Sequence, residues 1–304
     1  MTATAAEKLI IILSLHLQPR AGAAAVEKMR RDGASEPARD AFGRMYEQLL
    51  AGDRGELAGD ELEPVRDVRG LDALPRDAAA DVVDKVAIVK LNGGLGTSMG
   101  LSAPKSLIEV KPGRTFLDVI VRQVLALRRR HGARLPLVLM DSFSTERATR
   151  DALARYPELA ADVPAQFLQS RVPRLRADDL HPLQWPSDPQ LEWSPPGHGD
   201  LYASLIGSHM LDTLLEHGYE HLFVSNADNL GAVLQPRVLA LAERQAQLGT
   251  HPAAPVAEIA VGERLQHGVG GRDCRVGLDA EQGEQRLGHP RQAPLRDGGW
   301  LPYA

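Results

Sequence analysis

The chain holds a single cysteine, Cys274, among 304 residues. One thiol excludes an intrachain disulfide and any zinc site built from several cysteines. It accords with a reducing compartment, and a cytoplasmic setting is expected. A basic excess is also missing: the formal net charge is −5 at pH 7. Without an overall basic field the chain does not read as a nucleic-acid binder. Any nucleotide would have to be held by local N–H groups, lysine and a metal ion. Long apolar runs are absent too, since nothing approaches the ~20 residues of a membrane helix. The run Leu9 to Leu17 follows Lys8 but is short, contains His16 and leads into Gln18-Pro19-Arg20. It is expected to be a packed helix or strand, or a divergent terminus, rather than a secretory signal.

What remains is ordinary for a water-soluble globular chain: 43% hydrophobic and 25% charged residues, enough for one large or two ordinary domains. Three regions differ in character. Residues 1–80 read as a helical N-terminal segment. Ala23 to Arg30 and Glu36 to Leu50 carry apolar residues at three- and four-residue spacings, among them Phe42, Met45, Leu49 and Leu50. Gly33 and Gly52 punctuate them, and a charged connector runs from Asp53 to Asp81. Residues 81–248 alternate strand and helix. Strands are expected at Val86 to Leu91, Pro136 to Met140 and His221 to Ser225. Helices are expected from Thr115 to Arg130, from Ser144 or Thr145 to near Tyr156, from Asp200 to Gly218, and from Pro236. The Asp200 helix would bury Leu201, Leu205, Leu211 and Leu215. Such alternation predicts an α/β fold with a mostly parallel sheet covered by helices on both faces. Ligands then bind beyond the carboxyl ends of the strands. Residues 249–304 are rich in Gly, Arg, Gln and Pro and read as a loosely packed tail, with one possible strand at Val256 to Val261.

The stretch VAIVKLNGGLGTSMGLSAPKSLIEV, Val86 to Val110, carries the clearest chemistry. An apolar strand stops at Asn92, Gly93 and Gly94, and Gly96 and Gly100 follow. Clustered glycines let backbone approach a ligand and aim several N–H groups at one place. Lys105, eleven positions after Gly94, adds a mobile cation. The P-loop pattern fails, because Ser98, Met99 and Leu101 stand where its second glycine is required. The dinucleotide fingerprint fails as well, because Met99 stands where close helix packing requires Gly or Ala. A Gly-Gly-x-Gly-Thr loop followed by Pro104-Lys105 matches a nucleotidyltransferase loop instead.

LNGGLGTSMGLSAPKS resembles the nucleotide loop of the UTP–glucose-1-phosphate uridylyltransferase family. FLQSRVPRL (Phe167 to Leu175), WSPPGHGDLYASL (Trp193 to Leu205) and FVSNADNLGAVL (Phe223 to Leu234) resemble further segments of that family in the same order. The likeness runs from about Ala24 to Gln247. It implies a Rossmann-like nucleotidyltransferase core with a mixed, mostly parallel sheet, behind the helical N-terminal segment. The family's later strands, its Asn-rich sugar segment and a second lysine are not recognisable after Gln247. A chain shortened or frame-shifted near that point is therefore expected, and the family's assembly region is not there to give the oligomeric state.

The resemblance also implies roles. Leu91, Asn92, Gly93 and Gly94 form the nucleotide loop, with Gly93 and Gly94 also facing the sugar phosphate. Lys105 is the catalytic lysine on the UTP phosphates. Gln169 meets the uracil. Gly197 meets the nucleotide and His198 the sugar phosphate. Asn226 and Ala227 lie along the nucleotide, and Asp228 binds Mg²⁺, a hard ion that prefers oxygen ligands. Trp185 and Trp193 are expected to pack. No His or Cys stands at a spacing that would make His198 a zinc ligand. The implied partners are UTP and glucose 1-phosphate, joined by in-line displacement to give UDP-glucose and pyrophosphate, with neither nucleic acid nor membrane involved. Three alternatives stay open: a pyrophosphorylase for an N-acetylhexosamine 1-phosphate, a UTP-binding protein without catalysis, and a dehydrogenase, which Met99 disfavours.

Overall fold

The computed structural model describes residues 21–53, 55, 59, 70–74, 80–96 and 103–247. The run Leu9 to Leu17, most of the connector, Met99 and the tail beyond Gln247 lie outside the described residues.

Four parallel strands form the main sheet: β1 (Val86–Asn92), β4 (Leu137–Asp141), β5 (Gln166–Leu168) and β8 (His221–Asn226), in the order β5-β4-β1-β8. β1 is central and buried at every position but Leu91, and β4 is buried throughout. That is why both read as mainly apolar runs, without polar alternation. Alternate residues feed opposite faces. Val86 and Ile88 pack with α3 (Ala80–Asp84), α4 (Phe116–His131), α5 (Glu146–Leu153) and α8 (Pro236–Gln247). Ala87 and Val89 pack with α6 (Leu201–Gly207) and α7 (Met210–Glu216). The sheet is thus covered on both faces, as the alternation predicted.

The helix starts follow local chemistry. A hairpin of β2 (Glu109–Lys111) and β3 (Arg114–Thr115) leads into α4. Thr115 caps α4 in a capping box with Asp118, and Gly132 ends it at φ 62°. Such a cap contributes ~1 kcal/mol. α4 buries Leu117, Ile120, Val121 and Val124, each worth roughly 1.5–3 kcal/mol.

Several expectations are corrected. The helix expected from Asp200 to Gly218 is two helices, broken at His209, where φ is 59°. The buried stripe is Leu201, Leu205, Met210 and Leu214, while Leu215 is exposed. Met210 lies five positions after Leu205, too many for one helical turn, and the break absorbs the excess. Asp200 does not cap α6 with its side chain. α5 stops at Leu153, short of Tyr156.

A helix over residues 21–31, α1, and α2 (Glu36–Leu50) form the N-terminal pair. α2 buries Phe42 and Tyr46, whereas Met45 and Leu49 are exposed. The pair packs on the hairpin of β6 (Val172–Pro173) and β7 (Trp193–Ser194). Trp193 is buried between two cations, with Lys28 at 5.3 Å and Arg171 at 4.7 Å from its ring. Trp185, expected to pack, is 51% exposed.

Candidate functional site

The chain passes from β1 outward to β4 and β5, then returns to place β8 on the other side of β1. Reversal of strand order opens a crevice beyond the carboxyl ends of the two strands that flank the reversal, here β1 and β8.

The β1 end rests on a buried polar floor. Asn92 Nδ2 donates to Asp141 Oδ1 at 2.6 Å and to Thr149 Oγ1 at 2.9 Å. Asp141 also accepts from Gln166 Nε2 at 2.6 Å and from Thr145 Oγ1 at 3.3 Å. Burial pushes its carboxyl up to about 6, although hydrogen bonding from Gln166, Asn92, Thr149 and Thr145 pulls the other way. Ser142 Oγ donates to the Gly93 carbonyl at 2.9 Å. The loop therefore starts from fixed backbone, and the Asn92 side chain belongs to the floor.

Beyond Gly94 the loop doubles back. Gly96 N donates to Ala103 O at 3.0 Å, and Lys105 N to Gly94 O at 3.1 Å. The Lys105 stem passes Gly94 closely: a Cβ there would lie 3.7 Å from Lys105 Cδ. At Gly93 a Cβ would sit 2.5 Å from Gln169 Nε2, so glycine lets that amide lie against the loop. Gln169 is 7% exposed, and its own N–H donates to Asp141 O at 2.8 Å.

From β8, Asn226 stands opposite Leu91, and Ala227 N donates to Leu91 O at 3.0 Å. The turn that follows is tied by Asn229 Oδ1, which accepts from Gly231 N and Ala232 N. Asp228 extends toward the glycine loop, where Lys105 Nζ donates to its Oδ2 at 3.3 Å. Both side chains are over a third exposed, so the pair adds under ~1 kcal/mol to stability. It instead sets an accessible cation and an accessible carboxylate at the mouth of one crevice.

Leu91, Gly93, Gly94, Lys105, Gln169, Ala227 and Asp228 thus form one chain of contacts, with Asn226 in register beside Leu91. Gly197, at φ 98°, and His198 lie in the next loop, and His198 is exposed. They reach the cluster through Asp200, whose buried carboxylate accepts from Ser170 N at 2.6 Å and from Ser204 Oγ. Burial pushes the Asp200 carboxyl up. Asp141, the hub of the floor, was missed in the sequence. Its one signal was a carboxylate ending an otherwise apolar strand, LVLMD. A cavity of about 390 Å³ beside Gly22, Val26 and Tyr46 shares no residue with this site.

No group of three or more metal-binding side chains occurs among the described residues. The donor set at the crevice is the Asp228 carboxylate. One hard carboxylate together with substrate phosphates suits Mg²⁺, which keeps several waters and seldom uses an all-protein cage. No helix among the described residues is long and apolar enough to cross a membrane.

A glycine loop and a Lys–Asp pair stand at the switch point of a parallel sheet, the arrangement by which α/β proteins hold phosphates. The family model described as UTP–glucose-1-phosphate uridylyltransferase matches residues 39–249, more than half of the chain, and the chain belongs to that family. A probable UTP–glucose-1-phosphate uridylyltransferase of Schizosaccharomyces pombe is 47% identical over 160 residues, 52% of this chain and 31% of the relative. The Musa acuminata protein of that name is 39% identical over 213 residues, 67% of this chain and 45% of the relative. The UDP-glucose pyrophosphorylase of Leishmania major, solved in open and closed structures, superposes with a TM-score of 0.71 at 41% identity, covering 75% of this chain and 48% of that one. A variant of that enzyme solved in complex with UDP-glucose matches with a TM-score of 0.70. The chain spans less than half the length of these relatives.

Proposed function

We propose that this chain binds UTP in the β1–β8 crevice and transfers its uridylyl group to glucose 1-phosphate, giving UDP-glucose and pyrophosphate. The observation that carries this reading is the Lys105–Asp228 pair at 3.3 Å, standing at the mouth of the glycine loop.

The glycine loop offers backbone N–H groups to the phosphates, and Gln169 offers its amide to the uracil edge. Gly197 borders the nucleotide. Lys105 lies where it can neutralise charge on the triphosphate. His198 faces the sugar phosphate from the neighbouring loop. A phosphate oxygen of glucose 1-phosphate attacks the α-phosphorus of UTP. The new P–O bond forms as the bond to the β-phosphate breaks, and pyrophosphate leaves with the electron pair. Such displacements depend on positioning and electrostatics more than on a protein nucleophile. Asp228 is the residue that would hold Mg²⁺, which when bound shields phosphate charge. Residues 81–248 act as the nucleotidyltransferase core in this reading, preceded by the N-terminal segment 1–80, whose α1 and α2 pack on the β6–β7 hairpin.

Pyrophosphate release by the 304-residue chain tests the proposal. Release that needs UTP, glucose 1-phosphate and Mg²⁺ together supports it. Release that is faster with an N-acetylhexosamine 1-phosphate redirects it to that sugar. A second reading is a UTP-binding protein without turnover. UTP binding without release would select it.

A further inference from the structure

β1 carries one charged side chain inside its apolar run. Lys90 is 2% exposed and has no role in the site described above. Packing does not explain it, because Met would fill similar space without desolvating an ammonium. Burial pushes the Lys90 amine down to about 8, and no carboxylate among the described residues offsets this. The amine still carries its proton at neutral pH.

Its contacts share one destination. Lys90 Nζ donates to Ser225 Oγ at 2.6 Å and to the Ala232 carbonyl at 3.1 Å. It also lies 5.7 Å from the centre of the Phe223 ring. Ser225 precedes Asp228 by three residues and Ala232 follows it by four. One buried ammonium therefore grips both ends of the turn that carries Asp228. β8 has β1 as its one partner in the described sheet, so no further strand among the described residues steadies this turn.

We propose that Lys90 is a positioning residue that clamps the turn over residues 226–232 to β1 and so sets the Asp228 carboxylate. The inference rests on the reading of Asp228 as the carboxylate that holds Mg²⁺. Groups standing behind a metal ligand typically contribute 10–100-fold to metal affinity.

The experiment is calorimetric titration of UTP into the full chain across a Mg²⁺ series and in EDTA, with thermal unfolding as a check on folding. In Lys90→Met the Mg²⁺ concentration that half-enhances UTP binding rises about tenfold or more, while affinity in EDTA is unchanged. Lys90→Gln, which keeps an N–H donor, shows a smaller rise. An unchanged Mg²⁺ requirement in Lys90→Met overturns the clamp. So does a parallel loss of affinity in EDTA, or an equal rise in the Gln and Met variants. If Lys90→Met does not fold, Ser225→Ala removes one anchor and carries the same comparison: a several-fold rise supports the clamp and no change overturns it. A wild-type chain whose UTP affinity ignores Mg²⁺ overturns the Asp228 reading instead.

Discussion

β1 and β8 end side by side at the same crevice, but they are held differently. β1 lies between two strands, and its end is anchored by Asn92, Asp141, Thr149 and Ser142, all buried. β8 pairs with β1 alone in the described sheet, and its last three residues are partly exposed. The turn after β8 is held by Lys90 from below and by Asn229 within itself. The two ends also present different chemistry. The β1 loop offers backbone, so its geometry must be set by what lies beneath it. The β8 turn offers a side chain, so its fixation acts on one carboxylate. A phosphate site can thus combine a rigid backbone cradle with one adjustable acidic ligand.

Changes at five residues would break or sharpen this comparison. Asp228→Ala and Lys105→Ala strike the accessible pair. Each is expected to lower pyrophosphate release about a hundredfold or more, with circular dichroism unchanged because the pair adds little to folding. Near-normal turnover in either would remove that residue from the mechanism.

Asp141→Ala strikes the buried floor. Asn92 and Gln166 would lose a buried acceptor, and unfolding free energy should fall by roughly 2–4 kcal/mol, read by denaturant titration. The same group gives a pH signature. Its folded-state value, about 6, lies above an unfolded carboxyl near 3.8, so the native state binds the proton more tightly. The stability this group contributes is complete below about pH 4 and is lost as pH rises through about 6. The change is of order 2–3 kcal/mol. Asp141→Asn should flatten the stability slope between those values, and a variant with the wild-type slope would refute the assignment.

Gly93→Ala tests whether the cradle needs bare backbone. The added Cβ meets the end of the Gln169 side chain, which can swing away. UTP affinity should therefore drop about tenfold while the melting temperature stays nearly constant. A large stability loss would show that the loop itself cannot yield. Trp185→Ala, away from both strand ends and half-exposed, should change stability by less than about 0.5 kcal/mol. A larger loss would mean that Trp185 packs in solution.

Motifs confined to one stretch of chain were the legible part of this protein. Val86–Asn92, Leu137–Asp141 and Phe116–His131 could be read because burial on both faces and capping are written in consecutive residues. The glycine loop and Asp228 stood out for the same reason, and the structure brings them together. What escaped depended on distant partners. Nothing near Asp141 in the sequence reveals Asn92 and Gln166 as its donors. Trp193 is buried because it packs with distant residues of α1 and α2, and Trp185 is not, although both flank proline-rich loops. The break at His209 arises from the need to turn Met210 and Leu214 toward the sheet.

Local patterns of apolar spacing, caps and clustered glycine settled which strands and helices form and which chemistry the chain can offer, because each depends on neighbours a few residues apart. Which polar groups meet, which carboxylate is buried and why a lysine lies inside β1 were decided by packing across the sheet, because a hydrogen bond or a desolvated charge is defined by partners that only the folded chain brings into reach.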